Sequence, residues 1–251
     1  MALRTRACAT TSPLIEIRPK AQHSQKIIAR RSNFSLDNIP TGRYYQNVKA
    51  IKVEAKVEST RQKILAAAFA EFYRNGFQGG SLNHIVEMSG ATKGALFHHF
   101  AGKQELGYAV VDEVIEPILK ARWIDPIVGS TNPIADMKKA FRQFVKQDIE
   151  SGSWVQGCPL NNLAQEMSPL DDGFRNRIDK LYDTWRAGLA SALAGGIKAG
   201  KVRSDISPRN VAALVVAAQM GIWGTGKSSQ SKELMAQAGE ALCEYLDNLQ
   251  P

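Results

Sequence analysis

The chain has 251 residues, 44% of them apolar and 22% charged, with a formal charge of +8. That balance excludes fibrous and wholly disordered classes, and no apolar run is long enough to cross a bilayer. Three cysteines without CxxC spacing, Cys8, Cys158 and Cys243, exclude a disulfide framework and fit a reduced, cytoplasmic setting.

Residues 1–50 hold nine basic side chains against Glu16 and Asp37, a balance of +7. The basic character therefore belongs mostly to this segment and says little about the folded part. No helical or strand period persists over residues 1–55, and no apolar core follows Arg4 and Arg6 as a secretory signal requires. The segment reads as a basic disordered tail, with an organelle transit peptide as the competing reading.

Helical periodicity begins near Lys56 and defines a first module over residues 56–104. Ser59 or Thr60 suits an N-cap, and Ile64, Leu65, Ala68, Phe69, Phe72 and Tyr73 recur on one face. Asn75-Gly76 should end this helix. Ser81 caps a short second helix with Leu82, Ile85 and Val86 inward, which Ser89-Gly90 stops. Thr92 restarts a third from about Lys93 to Phe100. Two short helices around a tight glycine turn, packed on a longer one, make a helix-turn-helix. In the third helix Leu96 and Phe100 should pack inward. Thr92, Ala95, His98 and His99 face outward, with Lys93 and Phe97 at the edge. Such a surface suits major-groove binding: Lys93 for a phosphate or a guanine edge, His98 for base edges, Ser81 and Lys103 for flanking phosphates. Adjacent His98 and His99 diverge on a helix and have no third ligand nearby, so no metal site is expected.

The segments Thr60-Arg61-Gln62-Lys63-Ile64-Leu65, Gly76-Phe77, Thr92-Lys93-Gly94, Leu96-Phe97-His98-His99-Phe100 and Lys103-Gln104-Glu105-Leu106 resemble the TetR family of transcriptional regulators. The resemblance implies an all-α homodimer, usually a repressor, released from a palindromic operator in double-stranded DNA by a small molecule. Carried over by position, its DNA contacts fall on Arg61, Ser81, Thr92, Lys93, Ala95, Phe97, His98 and Lys103. Two departures stand out. Phe97 replaces the usual Tyr and loses a hydroxyl contact to phosphate. Ala95 replaces the frequent Ser or Thr and leaves an apolar contact, such as one with a thymine methyl.

Residues 105–251 continue as a helical ligand-sensing and dimerisation domain. Val110, Val111, Val114, Ile115, Ile118 and Leu119 extend the pattern, with Pro117 expected to kink it. Pro133 opens a helix with Met137, Phe141, Phe144, Val145 and Ile149 inward, closed by Gly152. A short helix begins at Gly157-Cys158-Pro159-Leu160, and Ser168-Pro169 opens a long one that Gly195-Gly196 should weaken. The segment Gly157–Glu166 is also similar to part of one TetR subgroup's ligand domain. Ser207-Pro208 starts another helix, and a Gly/Ser loop separates it from the last.

Val211, Leu214, Val215, Ala218 and Ile222, with Leu234, Ala238, Leu242 and Tyr245, form two stripes. The family resemblance implies that they pair with their twofold copies; the competing reading turns them into the chain's own core. Pocket candidates for an effector of unknown identity are Trp123, Phe144, Trp154, Cys158 and Leu163. Met167, Tyr182, Trp185 and Gln219 complete the set. Aromatic stripes at this spacing equally suit plain core. Cys158 at a helix start is either a reactive thiol, activated by the helix dipole, or an inert buried residue. No nucleophile triad, phosphate loop or metal set marks an enzyme, and no cofactor is expected. A helical partner-binding or scaffold protein without a DNA role is the alternative reading.

Overall fold

The computed structural model describes residues 59–251, all of whose regular elements are helical. The tail assigned to residues 1–55 lies outside the described residues. Helix α1 spans Thr60–Gly79. Ser59 caps it in a reciprocal box: its hydroxyl accepts from the Gln62 amide at 3.3 Å, and the Gln62 side chain accepts from the Ser59 amide at 3.0 Å. The expected stop at Gly76 takes the form of a break, with φ 76° and ψ 166°. Only glycine adopts that conformation without strain.

Helix α2 runs Leu82–Ser89 and ends where Gly90 turns left-handed at φ 66°. Thr92 then caps α3, Lys93–His99, by accepting from the Ala95 amide at 3.1 Å. Ile64, Leu65, Ala68, Phe69 and Phe72 of α1 meet Ile85 of α2 and Leu96 and Phe100 around α3, all buried. Full burial of such a side chain stabilises by about 1.5–3 kcal/mol, enough in sum to hold three short helices at fixed angles.

Pro117, where the sequence suggests a kink, does not interrupt the helical backbone. The chain stays helical from α4, Lys103–Val110, through a π-turn at Val111–Ile115, α5 at Glu116–Leu119 and a second π-turn at Lys120–Ile124. Proline has no N–H and crowds the carbonyl four residues back. Widening the turn re-registers the ladder: the Glu116 amide donates to the Val111 carbonyl.

Helix α6, Pro133–Ser151, takes Pro133 at its first position and ends at left-handed Gly152. Its inward stripe ends on the buried carboxylate of Asp148, with Ile149 only half-buried, where the sequence suggests Ile149. A 3-10 turn at Ser153–Gln156 leads to α7, Pro159–Met167. The long helix α8 is Asp172–Lys198, three residues later than Ser168-Pro169 suggests. Asp171 is its cap, accepting from the Phe174 amide and the Tyr108 hydroxyl, each at 2.8 Å. Helices α9, Pro208–Ser229, and α10, Lys232–Asp247, are capped by Ser207 and Ser231. Helix α9 packs between α8 and α10, and α10 rests on α6.

Candidate functional site

Helix α3 is anchored from behind. Leu96 is fully buried and Phe100 nearly so, while Thr92, Lys93, Phe97, His98 and His99 are exposed and Ala95 half-exposed. Phe97 is 54% exposed, a large apolar ring on an otherwise polar face. Gly94 and Ala95 keep the helix start slim. A bare, narrow helix of this kind can approach a base edge closely, and Lys93 is exposed at its start.

Arg61, expected as a DNA contact, is engaged within the chain itself. Its guanidinium forms a bidentate pair with Glu113, Nη2 to Oε1 at 2.6 Å, and lies 4.9 Å over the Phe100 ring. It ties the start of α1 to the first π-turn. Lys103 is also engaged: its ammonium donates to the Gln78 carbonyl at 3.0 Å, above the Phe77 ring. At Ser81 the backbone N–H donates to the Glu71 carboxylate at 2.9 Å, and the hydroxyl accepts from the His84 amide at 3.4 Å. Of these three, Ser81 remains exposed as a hydroxyl donor, but its amide is spoken for.

Glu71 carries no mark in the sequence. It is 3% exposed, and its second oxygen meets His84 Nδ1 at 2.6 Å. Burial raises the carboxyl, but hydrogen bonds from Ser81, His84 and Asn75 outweigh it and hold Glu71 below the usual carboxylate range. This latch fixes the angle of α2 on α1, and with it the presentation of α3.

Two small cavities lie in the larger part of the chain. The outer, about 40 Å³, is lined by Tyr73 of α1, Arg122 and Trp123 of the second π-turn, Asp148 of α6, Cys158 and Pro159 at the start of α7, and Trp223 of α9. The inner, about 10 Å³, is lined by Trp123, Phe141, Trp185 and Gln219 among others. Both admit water-sized groups in this conformation, not a ligand of ordinary size. Trp123 lines both. It stacks on Trp185 at 5.6 Å and 20°, and meets Phe144 and Trp223 edge-on at 5.2 and 5.6 Å.

Asp148 gathers the polar groups of this region. It accepts from Trp223 Nε1 at 2.8 Å, Arg122 Nη2 at 2.9 Å and the Ser153 hydroxyl at 3.2 Å. Three donors thus converge on one carboxyl group in a largely buried place.

Of the nine pocket candidates, Trp123, Trp185, Gln219 and Cys158 line a cavity and Phe144 packs on Trp123. Trp154, Leu163, Met167 and Tyr182 line neither. Leu163 and Met167 point into the core from α7, and burial pushes the Tyr182 hydroxyl up. Burial likewise pushes the Cys158 thiol up, against the Asn161 and Leu160 amides that favour a thiolate. Cys158 is itself only partly buried and lines the outer cavity. Among the described residues, no group of His, Cys, Asp and Glu could hold a metal.

The dimerisation candidates divide. Val211, Val215, Ile222 and Leu242 lie in the chain's own core, which corrects their assignment to an outer face. Leu214 and Leu234 are 49% and 38% exposed, and Ala218, Ala238 and Tyr245 half-buried. Exposed Ala213, Ala217 and Gly221 lie near Leu214 on α9, leaving an unfilled apolar strip.

Glu166 is a further residue that the sequence does not flag. At the end of α7 it accepts from the Phe77 and Gln78 amides, each at 2.8 Å. Tyr73 of α1 donates to the Gly157 carbonyl at 2.6 Å. The signal for both is weak, because a Glu and a Tyr at helical spacing look like ordinary surface and core.

Comparison with known proteins matches both parts. Residues 64–110 match the family described as "Bacterial regulatory proteins, tetR family". Residues 135–242 match "Tetracyclin repressor-like, C-terminal domain". An uncharacterized HTH-type transcriptional regulator of Lactococcus lactis is 29% identical over 143 residues, 55% of this chain and 72% of its own. The HTH-type transcriptional repressor DhaR of Mycobacterium sp. is 22% identical over 193 residues, 75% of this chain and 95% of its own. The crystal structure of E. coli NemR in its reduced form superposes with a TM-score of 0.65 at 23% identity, over 76% of this chain and 97% of that one. At such identity the last likeness shows the fold alone.

Proposed function

The chain belongs to the TetR family of transcriptional regulators, DNA-binding proteins rather than enzymes, and from that premise we propose that it acts as a homodimeric repressor whose hold on a palindromic operator is released by a small ligand. The observation that carries this reading is the outward surface of α3. Lys93, Thr92, His98, Ala95 and Phe97 stand free of the protein's own body while Leu96 and Phe100 fix the helix from behind. We assign base and phosphate contacts to these residues, with Ser81 and Lys103 at the flanks. Arg61 acts as a brace through Glu113. Residues 56–104 form the reading domain and residues 105–251 the sensing and dimerisation domain.

Dimerisation is assigned to the outer strip of α9 and α10, built on Leu214, Ala217, Gly221 and Leu234. Small residues let two helices approach closely, and a twofold pairing would bury the strip in an isologous four-helix bundle. Such a dimer presents two α3 helices about 34–36 Å apart, one turn of DNA. Release then needs a ligand that prefers a second arrangement by a few kcal/mol. Two wires run from the cavities to the reading domain. Tyr73 carries cavity wall and α1 on one side chain, and α7 joins Cys158 and Pro159 at the cavity to Glu166 at the Gly76 break. No described helix is long and apolar enough to cross a membrane, in keeping with action in the cytoplasm.

The test is fluorescence anisotropy on the DNA upstream of the protein's own gene. The reading requires a salt-sensitive complex with two protomers per palindrome, specific over scrambled duplex. A chain that binds both duplexes equally, or neither, is not this regulator.

A further inference from the structure

The inner cavity holds two buried polar atoms that satisfy nothing. Trp185 is fully buried, and its Nε1–H has no hydrogen-bond acceptor. Gln219 is 4% exposed, and its Oε1 has no donor. Both side chains line the same small, otherwise apolar space, beside Trp123, Phe141, Leu189 and Val215. An unmet donor and an unmet acceptor, both buried, are each costly. A single group that accepts from one and donates to the other removes both penalties, and a hydroxyl is the smallest that does so.

The walls define the rest of the ligand. Trp123 stacks on Trp185 at 5.6 Å with 20° between the rings, and it lines both the inner and the outer cavity. It is only partly buried and sits in the π-turn Lys120–Ile124. A widened turn next to Pro117 can change register more readily than a regular helix. Outward movement of Trp123 would join the two cavities and leave a ring-sized slot against Trp185, Phe141 and Trp223. The charged groups nearby, Arg122 and Asp148, are paired with each other at 2.9 Å, which makes a neutral ligand the simpler occupant.

We propose that the effector is a neutral hydroxylated aromatic compound, whose ring takes the place of the Trp123 indole on Trp185 and whose hydroxyl accepts from Trp185 Nε1–H and donates to Gln219 Oε1. This rests on the reading of residues 105–251 as the ligand sensor, and it names the ligand class of that sensor. Discrimination follows from the unmet atoms: a ligand of equal shape without the O–H leaves one or both of them bare.

The test uses the full chain at pH 7, with isothermal titration calorimetry of 4-ethylphenol, 4-ethylanisole and ethylbenzene. The ether accepts from Trp185 but cannot serve Gln219, and the hydrocarbon serves neither. The expected affinities fall in that order, by about ten-fold at the first step. Gln219→Leu should erase the advantage of the phenol over the ether, and Trp185→Phe should weaken both relative to ethylbenzene. Far-UV circular dichroism checks both variants. If Trp185→Phe does not fold, the wild-type series and Gln219→Leu decide alone. Equal affinity for the three probes, or no binding of 4-ethylphenol at millimolar concentration, overturns the proposal, as does an undiminished preference in Gln219→Leu. A chain that binds its operator yet ignores 4-ethylphenol remains a regulator with another effector. A chain that binds the phenol but no DNA refutes the regulator reading instead.

Discussion

Glu166 holds the backbone of Phe77, accepting its N–H at 2.8 Å across the break that Gly76 makes in α1. The other oxygen takes the Gln78 amide at the same distance. A carboxylate serving two adjacent amides at a helix break acts as a removable cap. Glu166→Ala should raise the hydrogen-exchange rates of the Phe77 and Gln78 amides about ten-fold or more, since charged hydrogen bonds contribute about 1.5–3 kcal/mol. Operator affinity should change little, while release by effector weakens. Unchanged exchange at both amides would show that the clamp is not formed in solution.

Lys93→Ala tests the reading surface. Lys93 is exposed and has no partner that the fold needs, so thermal stability should hold within about 0.5 kcal/mol. Operator affinity should fall. The slope of log affinity against log salt should become shallower by about one for each phosphate that the ammonium no longer neutralises. Titration of wild type and variant at several salt concentrations measures both.

The Arg61–Glu113 pair is partly exposed, so its strength is modest, about 0–1 kcal/mol. A double-mutant cycle with Arg61→Ala and Glu113→Ala in urea should give a coupling energy in that range. A direct DNA contact at Arg61 predicts instead that Arg61→Ala weakens operator binding far more than Glu113→Ala does.

The Glu71 latch carries a pH signature. Its carboxyl is held below its ordinary value of about 4.3 in the folded chain. The unfolded chain therefore binds the proton first as pH falls, so the latch stabilises fully above that value. Its contribution is lost as pH drops through the folded pKa. Glu71→Gln should be less stable than wild type at pH 7 by about 1.5–3 kcal/mol, and the gap should narrow below about pH 4. Urea melts of both proteins from pH 7 to pH 3 measure it.

The exposed strip on α9 gives the last test. Leu214→Glu places a charge in the centre of a surface proposed to face its own copy, where two such charges meet across the twofold. Wild type should run as a dimer in sedimentation and the variant as a monomer, with operator binding reduced accordingly. A variant that stays dimeric moves the interface elsewhere.

Most of the fold is legible in the sequence because caps and stripes agree. Ser59, Ser81, Thr92, Ser207 and Ser231 each cap a helix. Ile64, Leu96 and Phe100 are buried where their spacing puts them. The departures have physical reasons. Ser168-Pro169 resembles a helix start, but Asp171 offers a better cap and gains Tyr108 as a second partner. Pro117 suggests a kink, and the chain carries it between two π-turns without a break in the helical backbone. Periodicity marks which face of a helix is apolar but not whose core it enters, so Val211 and Leu242 read as facing a partner whose place their own chain takes. Buried Glu71 and Asp148 stay hidden because a carboxylate reads as surface until its donors, distant in sequence, are seen.

All four tryptophans, Trp123, Trp154, Trp185 and Trp223, lie between residues 123 and 223, and three of them touch through the ring of Trp123. The reading helices contain none. The tryptophan emission of this protein therefore comes wholly from the half that surrounds the cavities. Any shift in its colour reports events there, while a dye on the DNA reports the other half, so both ends of the switch can be watched at once in a single cuvette without labelling the protein.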